Sequence, residues 1–183
     1  EHSLSPVMHN AAFEALGLDA IYLAFRVAEH ELGDAIRGAK SLGIAGLNVT
    51  IPLKEKALAF VDADDVATRI GAINTIAFTS GTPTGYNTDG IGALTVLKER
   101  VREIRGKEVL ILGAGGAARA IAFYLDAEGA KLTIANRSED RAAMLASSLH
   151  NADFISLSED ELKRHIRDAD ILINTTPVGM YPR

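Results

Sequence analysis

Apolar residues recur along this chain in two rhythms, and the change falls near residue 105. Before it the segments are short and mixed. Ser5-Pro6 opens a helical pattern that runs to about residue 16 and stops at Gly17. Residues 20–27 (AIYLAFRV) read as a strand, and residues 29–42 as a helix closed by Gly43. Residues 44–51 (IAGLNVTI) read as a second strand. Pro52 then suits the first position of a helix that buries Leu53, Ala57, Phe60 and Val61 on one face. "AINTIAF" followed by the turn-rich "TSGTPTG" reads as a hairpin, and Asn87-Thr88-Asp89-Gly90 leads into a helix ending near residue 102.

Beyond residue 105 the alternation is regular. "EVLILG" is an unbroken apolar strand of the kind buried on both faces of a parallel sheet. A helix over 115–128 follows, then strand "KLTIAN", a helix over 139–149, strand "FISL", a helix over 159–167 and strand "DILINTT". Strands alternating with helices imply right-handed crossovers and a doubly wound parallel sheet. The fold class expected is therefore α/β: an N-terminal α/β unit over 1–104 and an incomplete Rossmann-type sheet over 105–183.

The turn after the first strand of the second half, "GAGGAARA", fits G-x-G-x-x-[GA] with Gly113, Gly115 and Ala118. Alone the pattern is weak. Between a strand and a helix of a βαβ unit it is the arrangement that sets a pyrophosphate on main-chain N–H groups. An NAD site wants an acidic residue at the end of the next strand, to bind the ribose hydroxyl. Here Asn136-Arg137-Ser138 stands in that place, with Arg141 one helical turn beyond Arg137. Two guanidiniums suit a 2′-phosphate, so NADP(H) is the expected cofactor.

In the first half, small polar residues gather at element ends. Ser3 and Ser5 precede a helix, a place for a carboxylate or an ordinary N-cap. Asn48 and Thr50 share a strand face. Lys54 would lie in a helix's first turn, where the macrodipole disfavours a cation and lowers its pKa. A plain surface lysine is the bland alternative. Asp89 before a helix is by default an N-cap, but could pair with Lys54, and Asn74 needs a turn partner or a ligand.

Composition narrows the class without choosing a function. The chain has 183 residues, 48% hydrophobic and 23% charged, so it can bury a core. A net charge of −5 argues against broad phosphate neutralisation on a nucleic acid. There is no long apolar run, and the histidines show no metal-ligand spacing, so neither membrane nor metal is expected. Zero cysteines fit a reducing cytoplasm. Both ends read as cut, which makes a piece of a longer chain the expectation. A homodimer is left open.

The motifs "EHSLSPVMHNAAF", "GLNVTIPLKE", "GAINTI", "GYNTDGIG", "VLILGAGGAARAI", "NRSEDRA" and "INTTPVGM", in this order, resemble the shikimate dehydrogenase family over essentially the whole chain. The resemblance implies a two-domain α/β enzyme that reduces 3-dehydroshikimate to shikimate with NADPH, in aromatic amino-acid biosynthesis. It makes Ser3 and Ser5 ligands of the substrate carboxylate. Thr50, Asn74 and Asp89 would bind ring hydroxyls, with Asn48 close by, and Lys54 would be the acid/base residue paired with Asp89. Gly113, Ala114, Gly115, Gly116 and Ala117 would cradle the pyrophosphate. Asn136, Arg137, Ser138 and Arg141 would hold the 2′-phosphate, with Thr176 near the cofactor and Asp65 a weaker cofactor-side candidate. The family's opening strand and its later part, with a substrate-binding glutamine, are not in this chain. The rivals are a quinate/shikimate dehydrogenase with broader cofactor use and a non-catalytic NADPH- or metabolite-binding relative.

Overall fold

Two four-stranded sheets, each with its own apolar core, organise residues 3–179, the part that the computed structural model describes. Glu1 and His2 of the first motif and Met180 of the last lie outside the described residues. In the first sheet β1 (Gly46–Asn48), β2 (Asp62–Ala63), β3 (Thr75–Ser80) and β4 (Thr82–Tyr86) lie in the order β1-β3-β4-β2. All pairs are antiparallel except β2 with β4. Leu32 and Ile36 of helix α2 (Leu32–Ser41) pack there with Val49, Ala57, Ile73 and Ile76. The expected hairpin is present, with Gly81 in the left-handed region its tight turn requires.

Four expectations in this half are corrected. Residues 20–27 form no strand: a strand exists only through pairing, and no described strand lies alongside. Ile21, Leu23 and Phe25 are accordingly 73%, 56% and 65% exposed. The strand expected over 44–51 shrinks to β1, because its ladder with β3 ends at the Asn48–Thr75 pair. No α-helix follows Pro52. The Ile51–Pro52 peptide is cis within a turn closed by Leu53 N–H donating to Thr50 C=O, and only a 3-10 turn over Lys56–Phe60 comes after. The Lys54 carbonyl, which a helix would have used, accepts instead from Ile73 N–H at 2.9 Å. Lys54 is therefore in no helix's first turn, and the macrodipole argument for it falls away. Finally, Asp89 is not a cap but the first residue of α4 (Asp89–Arg100), with Thr88 at the N-cap position. Ser5 likewise begins α1 (Ser5–Ala15) after Leu4.

The short helix α3 (Asp65–Ile70) was not expected. Asp64 caps it by accepting from Ala67 N–H at 2.7 Å, and Gly71, in the left-handed region, ends it.

In the second sheet β5 (Glu108–Leu112), β6 (Lys131–Asn136), β7 (Ala152–Ser156) and β8 (Ile171–Asn174) are all parallel, in the order β7-β6-β5-β8. β5, central and flanked on both sides, buries Val109, Leu110 and Ile111 almost completely. Helices α5 (Gly116–Ala127), α6 (Glu139–Ser147) and α7 (Glu159–Asp168) alternate with these strands. α5 turns Ala118, Ala120 and Ala122 inward, small side chains that let neighbours approach closely. One such neighbour is α4, whose Leu94, with Ile104, joins this second core. Residues read as part of the first half thus pack against the second.

The loop after α6 is pinned by Asp126 of α5. Its carboxylate accepts from the amides of His150 and Asn151 and lies 2.8 Å from His150 Nδ1. Burial raises the Asp126 pKa, but these hydrogen bonds outweigh it and hold the group below its ordinary 3.8. The stabilisation is therefore present above pH 3.8 and is lost as pH falls through the lowered value. Urea midpoints between pH 7 and pH 2.5 should converge for the wild type and Asp126→Asn at the acid end. A constant gap across that range would show that the carboxylate charge contributes nothing.

Candidate active site

The cleft lies beyond the carboxyl ends of β5 and β8, at the switch point of the parallel sheet. Two loops form its floor. Gly113, at φ 111°, turns the chain after β5, and a Cβ there would collide with Thr175 Oγ1 from the loop after β8. Thr175 in turn donates its hydroxyl to Leu112 C=O at 2.6 Å, which stitches the two loops together. Gly115 faces open space, so a ligand could approach the main chain there. The first main-chain bond of α5 is Arg119 N–H to Gly115 C=O at 2.9 Å, which leaves the amides of residues 116–118 ahead of the helical ladder. Ala118, the third position of the pattern, is fully buried, as close helix–sheet packing demands.

The cavity above these loops measures about 280 Å³. Gly113, Ala114, Gly115, Gly116, Asn136, Arg141 and Thr176 all line it, as do Lys54 and Glu55 from the other half. Ala117, Arg137 and Ser138 do not. Arg137 is exposed beside it, and Ser138 heads α6 with its carbonyl accepting from Asn136 Nδ2. Asp65 is an exposed residue at the start of α3, outside the lining.

Lys54 is placed by one partner the sequence suggested, Asp89, and by one it did not, Gly116. Its Nζ pairs with Asp89 Oδ2, the side chains being 15% and 29% exposed. Its aliphatic stem lies so close to α5 that a Cβ on Gly116 would be 3.2 Å from Lys54 Cβ. A glycine at the start of α5 thus leaves room for the first half's lysine. The other oxygen of Asp89 accepts from Asn74 Nδ2 at 2.7 Å, and the carboxylate starts α4, where the helix dipole favours an anion.

Asn74, buried just before β3, is held by several partners. Its Nδ2 also donates to Thr88 Oγ1, and its Oδ1 accepts from Thr88 N–H and the Thr75 hydroxyl. Thr75 accepts in turn from Asn48, and Asn48 from the Tyr22 hydroxyl. Tyr22 stacks on His9, and its main chain is clamped by the Asn10 side chain. A hydrogen-bonded chain therefore runs from α1 to Lys54. Tyr22, Thr75, Thr88 and Glu55 belong to this site but were not expected, since no periodicity or spacing singles them out.

Asn48 and Thr50 are both exposed on one side, with Val49 buried between them, as their parity implies. Ser3 and Ser5 stand together at the head of α1, where Ser5 N–H donates to Ser3 Oγ at 3.3 Å. No hydrogen bond among the described residues joins them directly to the Lys54 network.

A 3-2-1-4 parallel sheet with a glycine turn at its switch point defines a Rossmann-type α/β protein, here with a lysine–aspartate pair set against the glycine loop. Comparison with known proteins makes the class specific. Residues 1–76 match the family described as shikimate dehydrogenase substrate binding domain, and residues 95–179 match shikimate / quinate 5-dehydrogenase. The shikimate dehydrogenase (NADP(+)) of Methanococcoides burtonii is 56% identical over 180 residues, covering 98% of this chain and 66% of that protein. Its counterpart in Methanosarcina acetivorans is 53% identical over 188 residues, covering 99% and 67%. A solved shikimate 5-dehydrogenase from Thermus thermophilus, in complex with NADP(H) and shikimate, superposes with a TM-score of 0.84 at 38% identity, covering 97% of this chain and 65% of that one. The chain belongs to the shikimate dehydrogenase family. It spans about two thirds of the length of the curated relatives it matches.

Proposed function

We propose that the protein carrying this chain catalyses the reversible, NADPH-dependent reduction of 3-dehydroshikimate to shikimate. The observation that carries this reading is the packing of Lys54, itself paired with Asp89, against Gly116 of the glycine loop, an arrangement that would suit proton transfer beside a bound dinucleotide. The names of its relatives point the same way. On this reading residues 1–104 bind substrate and residues 105–183 bind cofactor.

The loop suits the cofactor: open space at Gly115 and the leading amides of α5 fit a pyrophosphate. Asn136 and Arg141 would face the adenosine ribose and its 2′-phosphate. When bound, NADPH supplies the hydride. The ammonium of Lys54 donates a proton to the oxygen that becomes the new hydroxyl, then recovers one from solvent. Asp89 holds that ammonium in place, and Asn74 holds Asp89. Asn74 donates to Asp89 and to Thr88 and so positions both, and a ring hydroxyl bound here would share these donors. Thr50 and Asn48 offer polar groups on one exposed face for ring hydroxyls, and Ser3 and Ser5 for the carboxylate.

Mixing shikimate with NADP⁺ should produce the absorbance of the reduced nicotinamide, and kcat/KM should favour NADP⁺ over NAD⁺. Binding of both ligands without turnover would identify a sensor. A preference for NAD⁺, or equal use of quinate, would give the place to a broader quinate/shikimate enzyme. The proposal includes a cytoplasmic setting, which the absence of cysteine fits. No helix among the described residues is long and apolar enough to cross a membrane. A homodimer is the proposed assembly, and sedimentation of the full protein as monomer only would remove it.

A further inference from the structure

Glu55 and Arg141 meet across the cleft. Arg141 Nη2 donates to Glu55 Oε1 at 2.9 Å, joining α6 of the second half to the turn that carries Lys54. Both side chains line the cavity beside Asn136 and Gly115. A carboxylate is a poor companion for a phosphate dianion. It already occupies the guanidinium that would hold the phosphate.

We propose that Glu55 sets the cofactor selectivity of this site by competing with the adenosine 2′-phosphate for Arg141. The inference rests on the NADP reading given above. Its direction follows from charge. A cofactor with a 2′-phosphate must take Arg141 from Glu55, whereas one with a 2′-hydroxyl can leave the pair intact. Glu55 therefore weakens NADP(H) and spares NAD(H), which keeps the preference moderate and release fast. The tie also spans the two halves, so uptake of the phosphate unfastens one rim of the cleft while the Lys54–Gly116 contact remains.

The size is set by how well such a pair forms. An ion pair this exposed has a formation constant of about two to five, so freeing Arg141 should tighten phosphate binding about three- to sixfold.

Calorimetric dissociation constants for NADP⁺, NAD⁺ and adenosine 2′,5′-bisphosphate, measured on wild type, Glu55→Gln, Arg141→Ala and Glu55→Gln/Arg141→Ala, the last read against Arg141→Ala alone, test this. Glutamine keeps the shape and removes the charge. Expected is a gain for NADP⁺ and the bisphosphate alone, shrinking as salt is raised and absent in the double variant. If wild type prefers NADP⁺ but Glu55→Gln shifts both cofactors equally, or neither, the competition is overturned while the NADP reading stands. A gain that survives Arg141→Ala also overturns it, because the benefit then runs through another group. A wild type that binds NAD⁺ as tightly as NADP⁺ overturns both.

Discussion

Replacing Lys54 with alanine in the full-length protein should lower kcat by at least about a hundredfold while KM for shikimate moves only a few-fold. On the proposed reading the ammonium acts on the oxygen only as charge develops there, so its loss should be felt in the transition state more than in the ground state. The partners sharpen the expectation. Asp89 Oδ2 accepts from Lys54 and its other oxygen from Asn74, so the amine is held at one point rather than swinging through the cleft. A thermal melt close to wild type would assign the loss to chemistry rather than to folding. An unchanged kcat in a folded variant would remove Lys54 from the reaction.

Gly90→Ala should destabilise the protein by roughly 3 kcal/mol, the upper end of overpacking costs. Its Cβ would strike the Ala120 carbonyl oxygen and lie 2.7 Å from Ala120 C and 2.5 Å from Tyr124 Cδ2. A main-chain carbonyl inside a helix cannot swing aside, so α4 must shift off α5. The melting temperature should fall by about 6–12 °C. Gly90 adjoins Asp89, so the same shift should draw the carboxylate from Lys54 and lower kcat as well. Gly92, in the same helix, has nothing within 4 Å of its would-be Cβ. Gly92→Ala should leave stability equal or slightly improved, since alanine suits a helix better. Equal melting temperatures for the two variants would contradict the close α4–α5 approach.

The second half was legible because its signals are local and agree. The central strand β5 is an apolar run, strands and helices alternate at short spacing from β5 to β8, and parallel strands need such crossovers. The first half was harder, because its elements are settled by distant partners. Residues 20–27 have the composition of a strand, but composition does not supply a neighbouring ladder. The helix after Pro52 has the right apolar spacing, yet Ile73, nineteen positions after Lys54, takes the carbonyl it needed. The lysine stands out in the sequence through a helix field that does not exist, although the partner expected for it, Asp89, is the one it meets. What fixes Lys54 is an aspartate 35 positions along the chain and a glycine on another sheet's loop, and neither relation has a period in sequence.

Asn74 shows how little chemistry separates a working arrangement from a broken one. Its nitrogen faces a carboxylate and its oxygen faces an amide hydrogen, so the side chain has a sense, like a valve fitted one way round. Aspartate has the same outline, but would set oxygen against oxygen where Asn74 now meets Asp89. Slow loss of ammonia from one side-chain amide, with no change of shape, would turn an attraction into a repulsion two hydrogen bonds from the lysine.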